Sequence, residues 1–169
     1  MNNEMNDNYI IAEIIISEKD VNKDIRIINS YEGNKVEYVN EKELKENCEI
    51  KINDNIIPFS YFYKFEKVGK YEIKYIFKKN MVKTDYMFYG CNLLTNINLS
   101  NFNIQNITNM SFMFSQCEYL TKLDLSNFKT ENVINMSYMF YKCKSLKSIN
   151  LSNINTQNVK DMSSMFKDC

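Results

Sequence analysis

The apolar positions in the second half of the chain recur with a constant period of 26 residues. Four cysteines mark the period, and each closes a Met-Phe-x-x-Cys segment: Cys91, Cys117, Cys143 and Cys169. A fixed period of this length is typical of a repeat protein, in which each repeat is one supersecondary unit stacked on the next. We therefore expect a partial repeat ending at residue 91, followed by three full repeats at 92–117, 118–143 and 144–169.

The first part of each repeat has the alternation of a half-buried strand. In the first full repeat, Leu94, Ile97 and Leu99 are apolar, and polar residues flank Ile97 and Leu99. The Ser100-Asn101 pair that follows favours a turn, because both side chains can bond nearby backbone groups. The pattern predicts a strand and then a turn.

The second part of each repeat has helical spacing. Met110, Met113, Phe114 and Cys117 stand at i, i+3, i+4 and i+7, which places them on one face of a short helix. Asn109 precedes this segment and is a residue type that caps helices. The equivalent segments predict one short helix in every repeat.

Residues 9–77 contain no copy of the repeat and are predicted to form a β-rich N-terminal cap domain, after a disordered segment at 1–8. Alternation is clearest in Phe59–Phe65 and Lys70–Phe77, which a short loop joins. Lys70–Phe77 lies one period before the first repeat strand, so we expect it to be the first strand of the repeat sheet. The N-terminal half would then cover an open sheet edge.

The repeats resemble a known family in three motifs, L-x-x-[IL]-x-L-S-N-F, N-V-x-N-M-S and M-F-x-x-C. They are similar to the BspA-like leucine-rich-repeat proteins in their 26-residue form, which occurs in mycoplasma surface lipoproteins and protist proteins. The resemblance covers residues from Asn80 onward. It implies a curved, non-enzymatic binding surface, and several family members look like secreted or surface-anchored adhesins.

The expected fold class is therefore α+β. The N-terminal β-rich cap domain would be followed, over 78–169, by a short leucine-rich-repeat solenoid with a strand and a short helix in each repeat.

Charge and the N-terminal sequence bear on partners and compartment. Basic and acidic residues number 21 each, which argues against general attraction to nucleic acid or to anionic membranes. The N-terminus has no basic region, and Glu13 interrupts its apolar run, so we find no signal peptide or transmembrane segment. As written, the chain is expected to be cytoplasmic. The alternative is a fragment of a surface adhesin or larger repeat protein whose signal or anchor lies outside this sequence.

The candidate chemistry is sparse. The chain has no His and no C-x-x-C motif, and each repeat holds one Cys, so we expect no metal, no cofactor and buried free thiols. No nucleophile stands beside a general base, which predicts that the chain is not an enzyme. Asn106, Asn132 and Asn158 could form a ladder between repeats or could simply be turn residues.

Function is therefore expected to be protein–protein interaction through a repeat surface, with an unidentified protein partner. Two candidate faces follow from the pattern, and self-association through the uncapped last repeat is a further possibility. The concave candidates are Asn96, Asn98, Ser100, Lys122, Asp124, Ser126, Ser148, Asn150 and Ser152. The convex aromatic candidates are Tyr86, Tyr89, Phe112, Tyr138 and Tyr141, which could form a contact patch or lie partly buried between repeats.

Overall fold

The structure is a computed structural model that describes residues 8–29 and 41–169. The segment predicted to be disordered, 1–8, lies outside these residues except for Asn8. The described helices are a 3-10 turn at Glu18–Asp20 and α1 (Glu41–Asn47). The strands are β1 (Tyr9–Ile16), β2 (Asp24–Arg26), β3 (Cys48–Ile52), β4 (Asn55–Ile57), β5 (Phe62–Lys64), β6 (Gly69–Phe77), β7 (Leu94–Asn98), β8 (Lys122–Asp124) and β9 (Ser148–Asn150).

Five strands form an antiparallel sheet in the order β4-β3-β6-β1-β7. Its inner face follows from strict alternation in β1, where Ile10, Ala12, Ile14 and Ile16 are all buried. Two small sheets complete the strand pairing: β2 with β5, which are antiparallel, and β8 with β9, which are parallel.

The strand that borders the repeats is β1, and the prediction that Lys70–Phe77 would do so is wrong. β1 lies between β6 and β7 and pairs antiparallel with both, with Ala12 opposite Ile73 on one side and Ile97 on the other. Asn8 adds to this junction, because its side-chain oxygen accepts the Asn103 N–H at 2.9 Å. β1 therefore occupies the position next to β7 in which the 26-residue period predicted β6.

The predicted α+β class, a leucine-rich-repeat solenoid with one short helix in each repeat, is also wrong. The described chain consists mainly of small, mostly antiparallel sheets and turns, and neither helix lies in a repeat. The segments with helical spacing are turns with two residues of positive φ each, a conformation that a right-handed helix excludes. The pairs are Tyr86 and Gly90, Phe112 and Gln116, Tyr138 and Lys142, and Ser164 and Asp168.

The predicted helix cap has a different role. The side-chain oxygen of Asn109 accepts the N–H of Ser111, two residues later, at 3.0 Å. Asn135 and Asp161 make the same bond to Ser137 and Ser163, each at 2.9 Å. This is an Asx turn, which shapes a loop rather than starting a helix.

Backbone hydrogen bonds join the turn segments of neighbouring repeats. Tyr86 N–H donates to the Ser111 carbonyl at 3.1 Å, and the next peptide N–H, that of Phe112, donates to the Ser137 carbonyl at 3.0 Å. Tyr138 N–H in turn donates to the Ser163 carbonyl at 2.9 Å. Because each carbonyl and the following N–H belong to one peptide group, the bonds form a continuous chain across the repeats. Three further chains begin at the N–H groups of Thr84, Phe88 and Gly90.

Side chains form ladders along the same direction. Phe88, Phe114 and Phe140 are fully buried, and their rings stack nearly parallel, with centroids 5.7 and 5.8 Å apart. The Cys117 thiol donates to the Phe88 carbonyl in the preceding repeat at 3.2 Å, and the Cys143 thiol donates to the Phe114 carbonyl at 3.0 Å. The buried cysteines therefore act as core residues that also bond the backbone.

The asparagine ladder is confirmed for two of its three residues. Asn132 donates its side-chain amide to the Gln105 carbonyl at 2.9 Å, and Asn158 donates to the Glu131 carbonyl at 2.7 Å. Each bond links one repeat to the one before it.

Core and surface substitutions in the repeats should differ sharply. Phe140→Ala should lower the free energy of unfolding by roughly 3–5 kcal/mol, because it removes a buried ring from the phenylalanine stack. Lys122→Ala, at an exposed position, should change it by less than about 0.5 kcal/mol. Urea denaturation measures both, and equal effects would mean that the buried and exposed faces have been exchanged.

A glycine substitution distinguishes the observed turn from a helix. Lys142 has a φ of 59°, so Lys142→Gly should raise the free energy of unfolding by about 0.5–1 kcal/mol through relief of the left-handed conformation. In a helix the same change would lower it by about 1 kcal/mol. Lys147→Gly, at an exposed position outside the turn, is the matched control and should be destabilising. Loss of stability in Lys142→Gly equal to that in the control would contradict the turn.

Thiol reactivity should report the burial of the cysteines. Burial raises the pKa of the Cys48, Cys91 and Cys143 thiols to about 12, and that of Cys117 well above its usual range. Cys169 is exposed, although burial raises the pKa of its thiol too and the thiol donates to the Phe140 carbonyl at 3.0 Å. In the native protein at about pH 8, a thiol reagent such as dithionitrobenzoate should react faster with Cys169 than with the four buried cysteines, because the reagent can reach it. In denaturant all 5 cysteines should react. If two thiols react fast in the native state, the burial of the other four cysteines is contradicted.

Candidate functional site

A polar groove lies over β7, β8 and β9. It has a volume of about 520 Å³. Its floor contains Ile97, Leu99 and Leu123, which belong to the core and hold the strands in place. Its other lining residues are Asn96, Asn98, Ser100, Lys122, Asp124, Asn127, Ser148, Ile149 and Asn150.

The groove brings together seven of the nine residues predicted for the concave face. The two remaining residues, Ser126 and Ser152, are outside its lining. Both belong to the row of Ser100, and their backbone N–H groups bond the side chains of Asp124 and Asn150. The alternation of the strands therefore predicted most of the groove's polar lining.

The middle row of the groove also shapes the strand ends. The side-chain oxygens of Asn98, Asp124 and Asn150 accept the N–H two residues later, at 2.9, 2.8 and 3.1 Å. These bonds fix the three side chains in matching orientations, since each repeat forms the same Asx turn. A partner would meet a row of prepositioned polar groups, with little side-chain entropy left to lose.

The charges in the groove are few and of both signs. Hydrogen bonds from Ser126 and Asn150 hold the pKa of the Asp124 carboxyl below its ordinary value, so this group is ionised at neutral pH. Lys122 is exposed and makes no ion pair within 8–29 and 41–169. The groove therefore offers one cation and one anion among amides and hydroxyls.

Two residues at the rim were not found from the sequence. Glu13 on β1 binds Lys70 on β6 at 2.7 Å, and its other oxygen accepts the Asn96 side-chain amide at 3.3 Å. The hydrogen bond from Lys70 is the main cause of the lowered pKa of the Glu13 carboxyl, and Lys122 contributes. The sequence feature that could have indicated this pair is Glu13 itself, the single acidic residue in the apolar run of β1.

The predicted convex aromatics form a stacked row on the turn segments of the repeats. The rings of Tyr86, Phe112 and Tyr138 are half-buried and nearly parallel, with neighbouring centroids 4.6 Å apart. Tyr89 packs edge-on against Phe112, and its hydroxyl accepts the Gln116 side-chain amide at 2.7 Å. Tyr141 packs likewise against Tyr138.

Stacking decides what this row can offer a partner. Both faces of the Phe112 ring and one face each of the Tyr86 and Tyr138 rings are covered by stacking. We therefore assign the row mainly to contacts between repeats, which was one of the two readings that the sequence left open.

The described residues provide neither a metal-binding cluster nor a membrane-spanning helix. No group of three or more His, Cys, Asp or Glu side chains in the described parts of the chain is arranged to hold a metal ion. Among the same residues, no helix is both long enough and apolar enough to cross a membrane.

Comparison with known proteins places the chain in a family without an assigned activity. No curated protein and no solved structure matches the chain significantly. A family profile matches residues 59–169, which include the strands of the groove and every repeat. The chain therefore belongs to the family described as Mycoplasma protein of unknown function, DUF285.

Proposed function

We propose that the chain is a non-enzymatic protein-interaction module whose partner binds in the polar groove over β7, β8 and β9. The observation that carries this proposal is the set of aligned polar rows on a backbone fixed by bonds between repeats. A regular platform whose outward residues differ from repeat to repeat is how repeat proteins discriminate between partners. The resemblance of the motifs to the BspA-like proteins points in the same direction.

The chemistry of the groove supports a polar protein partner. Amide and hydroxyl groups provide donors and acceptors together, while Lys122 and Asp124 contribute opposite charges. A surface of this composition matches the polar rim of a protein interface, and a polyanion would need a concentration of cations instead.

The N-terminal strands enlarge the available surface. Because β1 and β6 continue the sheet beyond β7, Glu13 and Lys70 extend the polar face past Asn96. A typical specific interface buries about 800 Å² on each partner, which three short strands alone would hardly supply. The interaction face therefore includes the first strand of the chain as well as the repeats.

A non-enzymatic role agrees with the groups available in the groove. Asp124 supplies the carboxylate among the residues that line the groove. This carboxylate is ionised and accepts the hydrogen bond of an Asx turn. General acid–base catalysis needs a group with a pKa near the working pH and within reach of a reacting proton. The polar residues of the groove provide recognition, and no pair of them has the arrangement of a nucleophile and its base.

The proposal is tested by selecting peptides that bind the protein and then measuring their binding to variants with substitutions in the groove. A phage-displayed library of random 12-residue peptides is panned on the protein, and selected peptides are measured by fluorescence anisotropy. Lys122→Glu should weaken the binding of the selected peptides by about tenfold or more, because it replaces the positive charge in the groove with a negative one. Ser148→Tyr should do the same by filling the groove.

Lys160→Glu is the matched control, because Lys160 is exposed and lies outside the groove. It should leave the dissociation constants unchanged, and circular dichroism should show all three variants folded. The proposal fails if panning enriches no peptide, or if the selected peptides bind Lys122→Glu and Ser148→Tyr as tightly as the parent.

A further inference from the structure

The polar groove contains a positive charge that the fold leaves without a partner. Lys122 lies on β8, the middle strand of the groove, and Ser148 on β9 is its partner in the parallel pairing. The Lys122 side chain is exposed and makes no ion pair or hydrogen bond to any residue that the structure describes. Because an ammonium group has three N–H donors, Lys122 presents all three to a ligand in the groove.

The carboxylate on the same strand is occupied by the fold. Asp124 follows Lys122 by two residues, so the two side chains share a face and lie about 7 Å apart along the strand. The Asp124 carboxylate accepts the Ser126 N–H at 2.8 Å and is also bonded by the Asn150 side chain. The Coulomb energy falls with distance, so a carboxylate in contact with Lys122 is attracted by Lys122 more strongly than it is repelled by Asp124.

The carboxylate at the rim of the groove has its own cation. Glu13 binds Lys70 at 2.7 Å and accepts the Asn96 side-chain amide at 3.3 Å. The hydrogen bond from Lys70 is the largest cause of the lowered pKa of the Glu13 carboxyl, whereas Lys122 acts on it only through its charge. The protein therefore binds both carboxylates of this surface itself, and the Lys122 ammonium is left for a partner.

We propose that the partner in the groove presents an acidic side chain, Asp or Glu, to the Lys122 ammonium. This inference rests on the function proposed above and identifies the chemistry of the partner. The carboxylate accepts N–H donors from Lys122, and the exposed hydroxyl of Ser148 provides a further donor beside it. A hydrogen bond between two charged groups is stronger than the neutral hydrogen bonds that the amides and hydroxyls of the groove offer.

The position of Lys122 favours a side chain within a segment over a terminal or free carboxylate. The groove extends to both sides of Lys122, over Asn98 on β7 and over Asn150 on β9. A segment that fills the groove therefore continues past Lys122 and does not end there. An exposed ion pair contributes little affinity alone. The carboxylate thus acts mainly in specificity, by selecting among the segments that the polar rows bind.

A double-mutant cycle between protein and peptide tests this contact. Peptides selected by the panning described above are synthesised with an amidated C-terminus, so that all their carboxylates belong to side chains. Each Asp or Glu is replaced in turn by Asn or Gln, and dissociation constants are measured by fluorescence anisotropy. One replacement should weaken binding to the unsubstituted chain about fivefold. The same replacement should change binding to Lys122→Gln by less than about twofold, because that variant has already lost the ion pair.

Lys160→Gln is the matched control, because Lys160 is an exposed lysine outside the groove. The replacement in the peptide should weaken binding to this variant as much as binding to the unsubstituted chain. An exchange of charges completes the test. A peptide in which Lys replaces the acidic residue should bind Lys122→Glu more tightly than the original peptide does, because the two opposite charges are restored.

Three results would overturn the proposal while leaving the groove as the binding site, provided that Ser148→Tyr still weakens the peptides. The first is that the selected peptides contain no Asp or Glu. The second is that every replacement has the same effect on Lys122→Gln as on the unsubstituted chain. The third is that only peptides with a free C-terminus bind, which would make a terminal carboxylate the ligand of Lys122. If panning enriches no peptide, the inference fails together with the proposed function.

Discussion

The alignment of peptide groups between neighbouring repeats is the constraint on which the second half of the molecule depends. Each turn segment gives alternate N–H groups to the next repeat and uses the intervening ones to close its own turns. This division sets the repeats at a fixed separation and register. The phenylalanine stack, the thiol-to-carbonyl bonds and the asparagine ladder all use that separation. The polar rows of the groove owe their alignment to it as well.

The sequence predicted which side chains are buried better than it predicted the path of the backbone. Met110, Met113, Phe114 and Cys117 are all buried, as their spacing indicated. The same spacing, however, also fits two successive four-residue turns, each containing a left-handed residue, and these occur instead of a helix. Apolar periodicity reports the inward positions only. Some of the hydrogen bonds that favour the turns are made to other repeats, and those bonds leave no local signal in the sequence.

In the groove, too, residues that depend on one strand were predicted, whereas residues that depend on the pairing of distant strands were not. Residues of the groove floor and walls follow from alternation within single strands, and seven of nine candidates line it. Glu13 and Lys70 were missed because their positions depend on β1 pairing with β6 on one side and with β7, about 80 residues away in the sequence, on the other. The apolar residues on both faces of β1 were the available clue, since they are typical of a strand inside a sheet. The period instead favoured β6 as the neighbour.

The one-way direction of the bonds between turn segments has an electrical consequence. In ordinary sheets the peptide dipoles largely cancel along a strand, and the net dipole is small. Here four chains of peptide groups all point their N–H toward the last repeat. Each peptide contributes a dipole of about 3.5 D, and bonded chains polarise one another. The turn segments therefore carry an aligned peptide dipole along the axis of the repeats, with its partial positive charge at the Cys169 end. A charged group that faces this end is affected by that field, and an anion there is stabilised.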